Sequence, residues 1–355
     1  MPFTQPQASI FTDYEILVNG SSLPESAQFH ITGLTVDEEI NLPNMFTLEL
    51  GSLDVQKGEV LWLDNSLFTI GSTLEVKLGY RGNLTTLMVG EITAIEPEFT
   101  IQRLPKVMIR GYDRSHRLHR GRHTQTFVQL KDSDIAAQIA QQVGLSAQVE
   151  DSGVVHDYIF QANQTHMEFL QERAGKINYE VMVEDRNLVF RPTANQDSDI
   201  LTLMFTDDLL EFYPCMSSAS QVNEVKVQGW NPKEKQSIIG RATTGDEGSK
   251  MGGETSGAAL SEDAFGTAVK TLSNHPMITQ AEADQLAQAR FKQLNLELIS
   301  GEGICRGRTD LRAGIVVQID GVGKRFSGQY YLTSVLHRYC NSQYHTKFTV
   351  RRNAQ

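Results

Sequence analysis

The feature that most constrains this chain is an internal echo. One stretch reads IGSTLEVKLGY, a turn, VGEITAIEPEF and LPKVMIRGYDR over residues 70–114. Another reads RAGIVVQIDGV, a turn, SGQYYLTSVLHRY and YHTKFTVRRN over residues 312–353. Each has a glycine before an alternating strand, a glycine before the next strand, and a third strand ending in basic residues. The spacing differs: Gly71 to Gly90 is longer than Gly314 to Gly328. A chain that builds one β-unit twice presents two similar surfaces. Three such chains in a ring present six, so the echo points to a structural task rather than a chemical one.

Alternation of apolar and polar residues marks half-buried strands. It occurs at residues 14–18, 28–34, 44–50, 74–78, 87–93 and 107–110. Strands of even spacing must hide their edges, so residues 1–120 are expected to form an antiparallel β-barrel. The texture then changes. Residues 132–144 place Ile135 and Ile139 at helical spacing between a cap at Asp132 or Ser133 and a stop at Gly144. Residues 165–175 form a second helix, capped by Thr165 with Glu168 three positions on and stopped at Gly175. Residues 178–192 then make a hairpin around 184–187. Residues 121–207 are thus an inserted α+β domain.

Residues 208–240 and 296–355 are expected to form the second barrel. A loop and helix insertion over 241–295 interrupts it. Residues 240–275, rich in Gly, Ser, Thr and Glu, suggest an exposed loop or mobile arm. Residues 279–295 carry the strongest helical pattern, with Thr279 and Glu282 as a capping box. The fold class is mainly β with α+β insertions: two antiparallel barrels, a small α+β domain and a helical insertion. A length of 355 residues fits several cores.

Motifs that would carry chemistry fail on inspection. GVGKRFSG resembles a phosphate-binding loop, but Gln318 stands where its first glycine belongs and Arg325 where a hydroxyl residue belongs. His116, His119 and His123 have helical spacing, yet Arg110, Arg114, Arg117, Arg120 and Arg122 surround them and oppose a cation. The acidic runs 37–39 and 207–208 are expected to be solvated edges, because neighbours in a strand point to opposite sides. There is no GxSxG and no HExxH. No metal or cofactor is expected. Cys215, Cys305 and Cys340 lack a pairing motif and read as small buried hydrophobes, and Trp62 and Trp230 as core or interface packing.

A net charge of −11 argues against a nucleic-acid coat. The basic strip Arg110, Arg114, Arg117, Arg120 and Arg122, with Lys324 and Arg325, is the candidate docking surface for acidic partners. No stretch approaches the ~20 apolar residues of a membrane helix. The first residues lack a basic start before an apolar run, so assembly in the cytoplasm without a signal peptide is expected.

These pieces resemble the phage late control protein D and VgrG family. The resemblance lies in Gly111, Asp113, Arg117, Leu118 and Arg120, then Gly144 and Leu145, then Gln161, Asn163, Thr165, Phe169 and Leu170, and then Leu188 and Phe190. VKVQGWNPKEKQSIIGRA resembles that family's second-barrel start. The tail resembles its close, with Gly314, Gly328, Tyr330 and His337. The resemblance implies a baseplate hub of a contractile injection system: a phage tail, tailocin, type VI or extracellular particle. It implies a homotrimer whose six tube-like barrels form a pseudo-hexameric ring. One face would seat the inner tube initiator ring, and the other a spike with an oligonucleotide fold and β-helix. Other baseplate proteins would surround it. Family chains continue into that spike, whereas this sequence stops at Gln355; the spike is expected on a separate chain or missing here. The alternative is a tail-associated cell-wall hydrolase.

Overall fold

The computed structural model describes residues 11–54, 59–193, 200–231, 234–273 and 279–355. The first residues of the chain, on which the signal-peptide expectation rests, lie outside these.

The first β-unit holds β1 (Thr12–Val18), β2 (Ser21–Ser22), the single turn α1 (Glu25–Gln28), β3 (Ile31–Glu39), β4 (Met45–Gly51), β5 (Leu53–Asp54) and β6 (Glu59–Val60). It continues with β7 (Thr73–Tyr80), β8 (Asn83–Thr100) and β9 (Arg103–Tyr112). Alternation sets its interior. Phe46, Leu48 and Leu50 of β4 and Leu74, Val76 and Leu78 of β7 are buried in one core. Each such side chain contributes roughly 1.5–3 kcal/mol. Residues 28–30, expected as strand, lie instead in and just after α1, where Ala27 is buried and backbone bonds close the turn onto Pro24.

The inserted domain follows a 3₁₀ segment (Arg114–His119). It comprises β10 (His123–Lys131), α2 (Asp132–Gln142), β11 (Ser146–Val149), β12 (Val155–Gln164), α3 (His166–Ile177), β13 (Tyr179–Glu184) and β14 (Asn187–Pro192), around its own core. Thr165 and Glu168 cap α3 reciprocally. The helix runs past Gly175 and stops at Asn178, whose φ of 56° turns the chain left-handed. Asp132 is not the cap of α2: the Asp134 carboxylate accepts from the Lys131 N–H at 3.1 Å, which frees Asp132 for another role.

The second β-unit opens with β15 (Leu201–Met204) and β16 (Leu209–Met216). It is then interrupted by β17 (Glu224–Asn231), β18 (Gln236–Thr243), α4 (Gly257–Phe265), β19 (Val269–Leu272) and α5 (Gln280–Asn295). It resumes at β20 (Ile299–Arg306), β21 (Val316–Asp320), β22 (Gly328–Cys340) and β23 (Gln343–Arg352). β17 and β18, assigned from sequence to the second barrel, pair only with each other and with β19 among the described residues. Their apolar face packs on α5 instead. Gly240 permits this: a Cβ there would meet the Ala283 carbonyl oxygen of α5 at 2.2 Å. The expected arm over 240–275 contains α4 and β19, and Met251 within it is buried. Residues 274 and 275 lie outside the described residues.

The two insertions meet at a buried polar knot. His156 bonds Asp132 of α2 at 3.1 Å and Glu282 of α5 at 2.7 Å, and the Arg173 Nε of α3 donates to Asp132 at 2.5 Å. Burial lowers the His156 pKa, but the bonds to both carboxylates outweigh it and hold the imidazole above its ordinary value.

Candidate assembly surface

The two β-units share one 13-stranded sheet, ordered β16-β20-β23-β22-β3-β4-β9-β8-β7-β1-β2, with β21 on β22 and β15 on β21. The joint between units is the antiparallel pair β22–β3, running from Ser334↔Glu39 to Cys340↔Gly33. Tyr339 meets Tyr14 edge-on at 4.9 Å, and the Tyr80 hydroxyl donates to the Gly307 carbonyl at 3.0 Å.

The units match at the level of single residues. β8–β9 shifts register between Ile92 and Ala94, and β22–β23 shifts between Leu332 and Ser334. β3–β4 shifts between Ile31 and Gly33, and β16–β20 between Leu209 and Glu211. Gly71 and Gly314 precede the equivalent strands β7 and β21 with φ of 90° and 86°. Their N–H groups donate to Ile92 O and Leu332 O at 2.8 and 2.9 Å. Two bulges and one left-handed glycine at matching positions define the correspondence β3 with β16, β4 with β20, β7 with β21, β8 with β22 and β9 with β23. In this correspondence Gly90 falls on Tyr330 rather than on Gly328, because the second hairpin is shorter. The first half of the sequence echo is structural; its second glycine is not.

Core volumes are exchanged across equivalent pairs. Phe46 faces Gly111 in the first unit and Gly301 faces Val350 in the second. Leu48 faces Ile109, and Gly303 faces Phe348. Bulk moves from one strand to its partner while the layer keeps its thickness.

Among the described residues the open edges of the sheet include one in each unit. Residues 211–216 of β16 pair only β20. The second half of β8, residues 94–100, pairs only β9, whereas the equivalent half of β22 carries β3 on its other side. Both edges contain a proline, Pro97 and Pro214. A proline inside an alternating strand marks an edge, and that signal was present in the sequence.

The candidate docking residues separate. Arg110 pairs Glu96 at 2.9 Å, Arg117 and Arg114 bind Glu91, and Arg114 also binds Asp185. Arg114 is buried, and Arg122 pairs Glu168 at 3.3 Å. Arg120, Lys324 and Arg325 are exposed. The strip is therefore spent largely on fixing the 3₁₀ segment to β8 and the inserted domain. Lys324 and Arg325 lie in the β21–β22 connection, apart from it in the chain.

The acidic run 37–39 is not a solvated edge. It lies inside β3, and Glu38 is 3% exposed. Its carboxylate accepts from Arg312 Nε at 3.0 Å and from the Ala313 N–H at 3.2 Å, tying the first unit to the second. Burial pushes its pKa up against the pull of Arg312. Glu38 and Arg312 line a cavity of about 570 Å³ together with Asn44, Asp113 and Arg191. Burial raises Asp113 to about 6, although its carboxylate accepts from the Ser115 and Asn44 N–H groups. No group of His, Cys, Asp and Glu that could hold a metal occurs among the described residues. Cys215 is exposed rather than buried, and burial pushes the Cys305 thiol up to about 12. Trp62 is buried; Trp230 is 58% exposed.

His337 is the buried centre of the joint. Its Nε2–H donates to the Leu311 carbonyl at 3.1 Å, and Nδ1 accepts from the Tyr344 hydroxyl at 2.7 Å. Burial lowers its pKa to about 3. An unfolded histidine takes a proton near pH 6.5, so stability present above that pH is lost as pH falls toward 3. The loss at pH 5 is roughly 2 kcal/mol. His337→Gln is expected to be less stable at pH 7 and to lose correspondingly less between pH 7 and pH 5. Equal pH slopes in urea unfolding of both proteins would refute this.

Comparison with solved structures gives the same fold. The 43 kDa tail protein of prophage MuSo2 from Shewanella oneidensis aligns with a TM-score of 0.72 at 13% identity, covering 96% of this chain and 98% of that one. The tail protein of Neisseria meningitidis MC58 gives 0.69 at 13% identity, covering 96% and 97%. The E. coli c3393 protein, described as a component of the type VI secretion system, gives 0.60 at 11% identity, covering 96% and 77%. No curated protein matches the chain. No helix among the described residues is long and apolar enough to cross a membrane. The family model described as the Alg8 N-terminal domain matches residues 8–341, and the chain belongs to that family.

Proposed function

We propose that this chain is the structural hub of a contractile injection apparatus, of the late control protein D and VgrG type. It works as a homotrimer whose six β-units form a pseudo-hexameric ring. One face seats the first ring of a hexameric inner tube, and the other carries a trimeric spike, with further baseplate proteins around it. The mature protein then sits in the baseplate of a phage tail or tail-like particle. One observation carries this reading: each chain holds two β-units in which five strands and two bulges correspond, joined edge to edge. Three chains then offer six near-equivalent seats to a sixfold partner. The fold shared with tail proteins and a type VI component supports it. The task is mechanical and assigns no catalytic residue. Arg120, Lys324 and Arg325, exposed on the surface, are the cations offered to acidic partners.

Light scattering on the purified chain is expected to give the mass of three protomers. Electron micrographs are expected to show a threefold particle with six peripheral lobes around an opening. A chain that stays monomeric at high concentration, or that clears peptidoglycan in a zymogram, overturns the proposal.

A further inference from the structure

The hub reading requires a contact between chains, and the internal correspondence specifies it. Within one chain the second half of β22 pairs with β3. The equivalent of β22 is β8, and the equivalent of β3 is β16. Both lack a partner on the corresponding side among the described residues. We infer that residues 94–100 of β8 pair antiparallel with residues 211–217 of β16 from a second copy of this chain, in the register Ala94↔Ser217, Glu96↔Cys215, Pro97↔Pro214 and Phe99↔Phe212.

The side chains fit that register. Val335, His337 and Tyr339 turn one face of β22 toward Leu34, Val36 and Glu38 of β3. Their equivalents are Ile95, Pro97 and Phe99 on β8, and Phe212, Pro214 and Met216 on β16. Ile95 packs against the first core, and Phe212 and Met216 against the second. Adding the strand therefore continues one apolar layer across the boundary. It also accounts for Phe99, which is 61% exposed in the single chain although its equivalent, Tyr339, packs on Tyr14. The opposite face is polar on both strands, with Glu96 and Glu98 against Cys215 and Tyr213.

The prolines fall opposite each other. Ile40 N–H donates to Thr333 O at 3.0 Å, which orients Thr333, Val335 and His337 backbone groups toward β3. By correspondence Pro97 turns its nitrogen away from β9, toward the incoming strand. Ser217 N–H donates to Leu298 O at 2.9 Å, so Pro214 likewise turns outward from β20. Neither has an N–H, so the pair forgoes hydrogen bonds without orphaning a donor. A foreign strand laid on either edge would press a backbone carbonyl onto a proline ring where it finds no N–H, which discourages wrong pairing. The contact is head-to-tail, and a head-to-tail contact closes into a ring when its rotation allows.

Cysteine crosslinking of the full chain tests the register. Glu96 and Cys215 occupy a non-hydrogen-bonded pair, where Cα atoms lie about 4.5 Å apart, within disulfide reach. Glu96→Cys needs no second substitution, because Cys215 is native and exposed. On oxidation the variant is expected to run on a non-reducing gel as covalent dimer and trimer, reverting to monomer with reductant. Glu98→Cys faces Tyr213 in this register and is expected to stay monomeric on that gel. The reduced variants are expected to melt like the wild type, so a negative gel reports geometry and not misfolding. Trimers that assemble without the Glu96–Cys215 link, or that link better through Glu98→Cys, overturn the register and leave the hub reading standing. A chain that neither assembles nor crosslinks overturns both.

Discussion

Gly303→Leu is expected to lower stability by about 3 kcal/mol, and adding Phe348→Ile is expected to restore most of it. A Cβ on Gly303 would lie 2.4 Å from the Phe348 ring, far inside contact distance, and the ring is buried in the second core. The double substitution installs the pair that the first unit already uses at the equivalent place, Leu48 facing Ile109. A volume-conserving exchange of that kind usually costs under about 1.5 kcal/mol. Urea unfolding of the three proteins gives the comparison. If the double variant is no more stable than Gly303→Leu alone, the two units are not interchangeable layers and the residue correspondence fails at its core.

The second large effect concerns the tie between units. Arg312→Ala strands Glu38, a carboxylate buried inside β3, with the Ala313 N–H as its remaining hydrogen-bond donor among the described residues. Breaking a fully buried pair costs about 3–5 kcal/mol; partial exposure of Arg312 brings the expected figure to about 2–3 kcal/mol. The sign of its pH dependence follows from the raised pKa of Glu38. A carboxyl group raised in the folded state contributes stability at low pH that is lost as pH rises through the folded pKa. Removing Arg312 raises Glu38 further, so the deficit is expected to be largest near pH 8 and to shrink toward pH 5. Glu38→Gln in the same chain is expected to recover much of the loss and flatten that dependence. Thermal melts at three pH values check this, and a deficit independent of pH would refute it.

Local rules made several elements legible. Thr279 and Glu282 announced α5 because a capping box satisfies orphan amides within four residues. Alternation in β4 and β7 announced strands because burial on one face needs only a period of two. The same rules misplaced β17, whose alternation is genuine but whose apolar face meets α5 rather than the barrel. They also misread Glu38, since an acidic run looks solvated until a distant Arg312 is brought against it. The basic strip was visible as charge, yet its partners Glu91, Asp185 and Glu168 lie far along the chain and only folding introduced them.

The sequence by itself determined that strands dominate, that a β-unit occurs twice, and where the capped helices interrupt it, because each of these depends on neighbours within a few residues. Only the tertiary structure decided which edges are joined and which are left open. The β22–β3 joint is made between residues hundreds of positions apart, and the two bulges that reveal the duplication exist only as registers between partners.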